Sequence, residues 1–168
     1  MSLTPTPPLS RRLVAEFVGT GLLVTVVVGS GIAAQRLTAD PGLQLLENSL
    51  ATVFGLTVLI LLFGPVSGAH FNPVVSLADW WLGRSAGTGL RGADVTPYAV
   101  AQTLGAIVGA ALANVMFEVS VTELATTERT GSHLLVGEVV ATAGLVALIF
   151  GLVRTGRGEL AAPAVGAY

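Results

Sequence analysis

The stretch Ser67-Gly68-Ala69-His70-Phe71-Asn72-Pro73-Val74 lies inside the longest uncharged segment of the chain, residues 48–78. These 31 residues are too many for one spanning helix, which needs about 20, and too few for two. Gly64-Pro65 interrupts the segment, and Asn72-Pro73 combines a preferred N-cap with proline at the first helical position. We therefore predict a spanning helix, a turn and a short helix, at residues 49–63, 64–72 and 73–82.

The short helix has the length of half a membrane span. Its ten residues would extend about 15 Å, against a hydrocarbon core about 30 Å thick. Its N-terminus would lie near the membrane midplane, where irregular backbone must be buried in protein or line a water-filled cavity. The positive end of the helix dipole disfavours cations there, while the Asn72 amide and the carbonyls of residues 67–71 offer hydrogen bonds to neutral solutes. Asn-Pro by itself is also common in tight turns.

The composition indicates an integral membrane protein. The chain of 168 residues is 52% hydrophobic and 11% charged, whereas soluble domains carry roughly 25% charged residues. The absence of cysteine excludes disulfides and thiol chemistry, and the net charge of −2 gives no reason to expect nucleic acid. No nucleophile–base pair or metal cluster is evident. We expect no enzyme activity, no cofactor and no metal, and a lipid bilayer as the surroundings.

Three further apolar stretches predict spanning helices, and residues 161–168 predict the start of another. The three spans cover residues 13–34, 97–117 and 134–153, and Thr96-Pro97 is expected to start the second of them. Residues 1–10, rich in proline and threonine, predict a disordered tail. With a cytoplasmic N-terminus, six of the eight arginines lie inside, which favours that orientation in a multi-pass cell-membrane protein.

The predicted fold class is an all-α membrane protein with four transmembrane helices, one re-entrant half-helix and the start of a fifth helix. An internal repeat supports this reading. Ala15–Thr20 and Gly137–Thr142 match at an offset of 122 residues, and three intervening spans would give the copies opposite orientations, as in inverted repeats. Chance similarity of two small-residue helices is the alternative. The repeat places a second Asn-Pro near position 194, so we expect residues 1–168 to form a single but incomplete domain.

These motifs resemble a known family. Residues 67–74 resemble the SGxHxNPA motif of the aquaporin, or major intrinsic protein, family, and Ala15-Glu16-Phe17-Val18-Gly19-Thr20 resembles its AEFxGT opening. Residues 97–102 are similar to its third helix and Gly137-Glu138 to the start of its fourth. The resemblance implies a hexahelical, homotetrameric channel for water or small neutral solutes such as glycerol. Val74 replaces the usual alanine, and the second Asn-Pro-Ala, its adjoining arginine and two spans have no counterpart.

The candidate site residues follow from the motif and the resemblance. The expected pore or selectivity residues are Gly68, Ala69, His70, Asn72, Pro73, Val74 and Phe54, with Thr52 as the alternative to Phe54. The resemblance implies that the intramembrane residues Glu16, Glu138 and Gln102 make structural hydrogen bonds around the pore loops. With the second loop missing, one glutamate should lack partners. His70 is interpreted either as a pH sensor or as a neutral group that holds its own loop.

Two surface patterns leave alternatives open. Asp79 and Arg84 are expected at the cytoplasmic end, where they could pair, beside Trp80-Trp81 as an interfacial anchor. A row of small residues, spaced four apart, favours close helix packing: Ala101, Gly105, Gly109 and Ala113. This packing could occur within one protomer or between protomers.

Three functions are compatible with these features. The first is a passive channel, or part of one, for water or small neutral solutes. The second is a secondary transporter with inverted repeats, which needs ion-coupling acids facing a central cavity. The third is a non-conducting membrane subunit.

Overall fold

The computed structural model describes residues 6–121 and 130–168, and over those ranges the chain is helical with no strand. Half of the predicted tail, residues 1–5, lies outside the described residues. Four described helices are long and apolar enough to cross a membrane, so the predicted fold class is confirmed. The helices are α1 (Leu9–Leu37), α2 (Pro41–Ser67), α3 (Pro73–Gly83), α4 (Gly92–Met116), α5 (Ser132–Arg154) and α6 (Ala161–Ala167).

Helix α2 does not end at Gly64-Pro65, so the predicted span of residues 49–63 is too short at both ends. It begins after Asp40, whose carboxylate accepts hydrogen bonds from two backbone N–H groups of the first turn. It continues through Pro65, which removes one backbone hydrogen bond, because its last residue, Ser67, is held by side-chain hydrogen bonds to Glu16 and Tyr98. Gly68 ends the helix in the left-handed region, with φ of 93° and its N–H donating to the carbonyl of Gly64.

The other long helices also exceed their predicted spans. Helix α1 begins at Leu9, inside the predicted tail and ahead of the predicted residues 13–34, because Arg11 and Arg12 are good helix formers. Helix α4 begins at Gly92. Pro97 therefore lies within the helix, and the prediction that Thr96-Pro97 starts the span of residues 97–117 is wrong. Helix α5 extends beyond residues 134–153, and α3 ends one residue after the predicted 73–82.

Helices α1 and α4 make the closest helix contact of the fold. A Cβ added at Gly105 would lie 2.3 Å from the carbonyl oxygen of Phe17, and one at Gly109 would lie 2.1 Å from that of Gly21. The Thr25 hydroxyl crosses the interface and donates to the carbonyl of Gly109 at 3.0 Å. The small residues of α4 thus pack against α1 within one protomer, which decides the alternative left open by the sequence.

The remaining helices surround the non-helical segment 68–72. Helix α2 packs on α1, α3 packs on α4, and α6 packs on α2. A Cβ at Gly166 of α6 would lie 2.2 Å from the Thr57 hydroxyl oxygen. Helix α5 lies at the edge and has no buried residue. Segment 68–72 therefore lies between α1, α2 and α4, whereas the short α3 packs on α4 and also contacts α5.

Candidate functional site

The segment between α2 and α3, which we call the pore loop (residues 68–72), has an unusual backbone. Gly68, Ala69 and Phe71 have φ angles of 93°, 50° and 49°, and left-handed conformations are uncommon outside glycine. Three consecutive N–H groups have side-chain acceptors: that of Ala69 donates to the Ser67 hydroxyl at 3.1 Å, and those of His70 and Phe71 donate to the Glu16 carboxylate at 3.0 and 2.8 Å. The loop is therefore held from one side.

Glu16 is the centre of this arrangement. Its side chain is on α1, the residue is 0% exposed, and its two carboxylate oxygens accept four hydrogen bonds. Besides the two loop N–H groups, the donors are the Ser67 hydroxyl at 2.6 Å and the Gln102 amide at 2.8 Å. Buried carboxylates are costly unless fully hydrogen-bonded. The four hydrogen bonds of Glu16 therefore tie α1 to α2, to the pore loop and to α4.

Gln102 extends the same network to α3. It is 1% exposed, and its Nε2 also donates to the Ser76 hydroxyl at 3.0 Å. Ser76 in turn lies 3.0 Å from Nδ1 of His70. The His70 ring is therefore held by hydrogen bonding, as one of the two interpretations of this residue expected.

Opposite Glu16, the pore loop lines a cavity of about 870 Å³. Among the described residues, no donor pairs with the carbonyls of residues 68–71, and no acceptor pairs with the amide nitrogen of Asn72. The Asn72 Oδ1 caps α3 by accepting from the N–H of Val74 at 2.8 Å. The cavity wall thus offers a donor beside a row of acceptors.

Four of the predicted pore residues line this cavity, namely Gly68, Ala69, His70 and Asn72. Pro73, Val74 and Phe54 are described, but they do not line it. Val74 is 48% exposed, because consecutive residues of a helix point about 100° apart and α3 directs Val75, not its neighbour, to the cavity. That Pro73 and Val74 border the pore therefore stays a prediction.

Phe54 lies on a different face of α2 from the residues that line the cavity. The cavity-lining residues of α2 include Leu56, Ile60 and Gly64, which are spaced four residues apart. Phe54 is 66% exposed on another face of the helix, whereas Thr52 lies one turn before Leu56 on the same side. Because α2 is continuous up to Ser67, the face that lines the cavity can be followed back along the helix. That face contains position 52 and not position 54, which favours Thr52 over Phe54 as the pore residue.

The second intramembrane glutamate has no such network. Glu138 is exposed on α5, and no hydrogen bond or ion pair from the described residues reaches it. The expectation that one of the two glutamates lacks partners agrees with this placement.

Two charged residues of the cavity wall were not among the predicted site residues. Arg12 lies at one end of the cavity and forms an ion pair with Asp94 at 2.7 Å. Asp79 lies one turn beyond Val75, and this helical spacing could have identified it as a lining residue.

The expected pairing of Asp79 with Arg84 is wrong. An Asp79 carboxylate oxygen accepts from the N–H of Leu90 at 2.7 Å. The Arg84 guanidinium instead stacks 3.3 Å from the centroid of the Trp81 ring, and Trp81 is 54% exposed.

The family of the chain follows from a comparison of its sequence with known families. The model of the major intrinsic protein family matches residues 4–167, which include the pore loop and both glutamates. The chain belongs to the major intrinsic protein family. This membership confirms the resemblance seen in the sequence and makes the chain a multi-pass membrane protein. The family is one of channels, which agrees with the prediction that the chain is not an enzyme.

Several curated relatives are similar to this major intrinsic protein. Aquaglyceroporin AqpS of Rhizobium meliloti (strain 1021) is 48% identical over 89% of the chain and 62% of the relative. Aquaporin NIP1-1 of Zea mays is 34% identical over 95% of the chain and 56% of the relative. A glycerol uptake facilitator protein of Pseudomonas aeruginosa is 37% identical over 67% of the chain and 38% of the relative. The chain thus spans less than two thirds of the length of these relatives.

Proposed function

We propose that this chain contributes to a passive transmembrane channel for water or small neutral solutes such as glycerol. The single observation that carries the proposal is the cavity wall at the pore loop, where the Asn72 amide donor lies beside four unpaired backbone carbonyls. The names of the aquaglyceroporin, aquaporin and glycerol-facilitator relatives support it. We further propose a homotetramer in the cell membrane with a cytoplasmic N-terminus.

The arrangement can select neutral solutes by hydrogen bonding and electrostatics. Carbonyl oxygens replace part of the hydration of a passing molecule, and the Asn72 Nδ2 donates to its oxygen. The N-terminus of α3 carries a partial positive charge at the same place, which raises the energy of a cation in the cavity. Neutral molecules that both donate and accept hydrogen bonds are therefore favoured.

The contacts of the two glutamates weigh against an ion-coupled transporter. Glu16 faces the pore loop backbone with all its acceptor positions occupied. Glu138 lies on the exposed side of α5, whose cavity-lining residues are Leu145, Ile149, Phe150 and Val153. Neither glutamate lines the cavity, where a coupling acid has to meet its ion. The acid that does line it, Asp79, accepts a hydrogen bond from the N–H of Leu90.

Stopped-flow light scattering of proteoliposomes tests the proposal. The chain is compared with empty liposomes and with a chimera extended past Tyr168 by the part of the aquaglyceroporin relative that the chain does not span. Osmotic water or glycerol flux above that of empty liposomes, from either protein, supports a channel. Flux from neither protein, with both shown to be inserted and helical by circular dichroism, contradicts the proposal.

Replacing Asn72 by aspartate is expected to change selectivity with little effect on folding. Aspartate caps helices as well as asparagine, so the bond to the N–H of Val74 is retained. The amide donor is replaced by a negative charge, and we expect the proton permeability of the conducting protein to rise by about tenfold, which corresponds to about 1.4 kcal/mol. A pH-sensitive dye inside the vesicles measures this leak.

The matched control for this change is Asn114→Asp. Asn114 lies at the far end of α4, where its amide donates to the carbonyl of Ser120 at 3.2 Å. An equal increase in proton leak from both variants would contradict a selective role for Asn72.

A large side chain at position 52 is expected to restrict the pore, whereas one at position 54 should not. Thr52 does not itself line the cavity, but it lies one turn before the cavity-lining Leu56 on the same face of α2, whereas Phe54 is mostly exposed. Thr52→Trp should lower solute flux by at least about tenfold, because pore diameter controls permeation. Phe54→Trp should leave flux within about twofold of the wild type. The reverse result would show that Phe54 borders the pore after all.

A further inference from the structure

Asp79 contacts two parts of the structure that are separate in sequence. One of its carboxylate oxygens, Oδ2, accepts from the N–H of Leu90, in the loop that joins α3 to α4. The same oxygen lies 3.7 Å from Nε2 of His70 in the pore loop. This distance is slightly beyond a direct hydrogen bond, but both residues line the cavity. A small rotation of the ring or one bridging water joins them.

The other nitrogen of the His70 ring has a partner that can either donate or accept. Nδ1 lies 3.0 Å from the Ser76 hydroxyl, which already accepts from the Gln102 amide. The single hydroxyl proton of Ser76 can go to Nδ1 or to the carbonyl of Asn72 at 3.2 Å. The choice depends on which ring nitrogen of a neutral His70 carries the proton.

We propose that Asp79 is a positioning residue, which selects the tautomer of His70 protonated at Nε2. The carboxylate attracts the Nε2–H, so Nδ1 is left as an acceptor and the Ser76 proton turns to it. Hydrogen bonds then run in one direction, from Gln102 to Ser76 to His70 to Asp79.

The other charged or titratable groups around His70 are already paired. On α1, Glu16 has four donors and Arg12 is bound to Asp94. On α4, the Tyr98 ring lies 5.5 Å from the His70 ring, and its hydroxyl donates to the carbonyl of Ser67 at 2.9 Å. Of the described charged or titratable neighbours, Asp79 is therefore the acceptor that Nε2 can use.

The consequence is a mechanical link between the pore loop and the α3–α4 loop. The carboxylate that orients His70 also holds the backbone at Leu90, and a Cβ at Gly89 would lie 2.6 Å from the carbonyl oxygen of Asp79. The proposal depends on the proposed channel only in that the pore loop borders the conduction path.

Nitrogen-15 NMR of histidine-labelled protein in lipid nanodiscs tests the tautomer without measuring flux. The chain has two histidines, so a His133→Gln background leaves only the signals of His70. At a pH where the ring is neutral, we expect an acceptor-type shift for Nδ1 and a donor-type shift for Nε2. Asp79→Leu should convert the population to the Nδ1-protonated form, whereas Glu47→Leu, which removes an exposed carboxylate on α2, should not.

Ser76→Ala separates the two possible causes. If Asp79 selects the tautomer, Nε2 stays protonated in this variant and only the Nδ1 shift moves, to that of a free lone pair. A wild-type ring protonated at Nδ1, an unchanged tautomer in Asp79→Leu, or a reversed tautomer in Ser76→Ala would each overturn the proposal. The wild-type and Ser76→Ala spectra can each overturn the proposal even if Asp79→Leu does not fold. Loss of solute flux would contradict the channel, not this assignment.

Discussion

Replacing Glu16 by glutamine is expected to destabilise the protein by on the order of 3 kcal/mol and to displace the pore loop. Each carboxylate oxygen accepts from one loop N–H, of His70 or of Phe71. A glutamine amide has one oxygen, so in either orientation its NH₂ faces a loop N–H group. A buried donor left without an acceptor costs about 1–3 kcal/mol, and bonds to a charged acceptor are stronger than those to a neutral one.

Unfolding in mixed micelles with increasing SDS measures this change. Both tryptophans, Trp80 and Trp81, lie on α3, so their fluorescence reports on the helix that follows the pore loop, while circular dichroism reports on the whole fold. Glu47→Gln, at an exposed position of α2, is the matched control and should change stability by less than about 0.5 kcal/mol. A Glu16→Gln protein as stable as this control would show that the carboxylate does not hold the loop.

Adding methyl groups between α1 and α4 is expected to have an effect of similar size. Alanine at Gly105 or Gly109 places its Cβ 2.3 or 2.1 Å from a backbone carbonyl oxygen of α1, and a carbonyl cannot rotate away as a side chain can. Overpacking costs about 1–3 kcal/mol per site. The double variant should therefore lose about 3 kcal/mol or more and separate the two helices.

The same SDS titration provides the measurement, with Gly151→Ala as the control. A Cβ at Gly151 of α5 meets no atom within 4 Å, so alanine there should be neutral or stabilising by about 0.5–1 kcal/mol. Equal behaviour of the Gly105 and Gly151 variants would mean that α4 does not contact α1 closely in the membrane.

The start of α3 could be predicted from the sequence because the required chemistry is local. Asn72-Pro73 caps and starts α3 at the expected residue, since the cap depends on neighbouring residues alone. A carboxylate in an apolar segment, such as that of Glu16, requires hydrogen-bond donors, and this requirement follows from its side-chain chemistry. The positions of Phe54 and Val74 outside the cavity wall and the hydrogen-bond partner of Asp79 depend on helical phase and on contacts between distant segments, which short stretches of sequence do not determine.

The sequence by itself determined the class of protein, the half-length helix with its Asn-Pro start, and the glycines that allow close helix contact. Each of these follows from hydropathy, capping or side-chain size, which are properties of short stretches. Only the tertiary structure decided that α2 continues through Pro65, that Glu16 gathers donors from three segments, and that Asp79 faces His70 and not Arg84. The physical reason is that hydrogen bonds between packed segments determine where a helix ends and which partner a side chain binds.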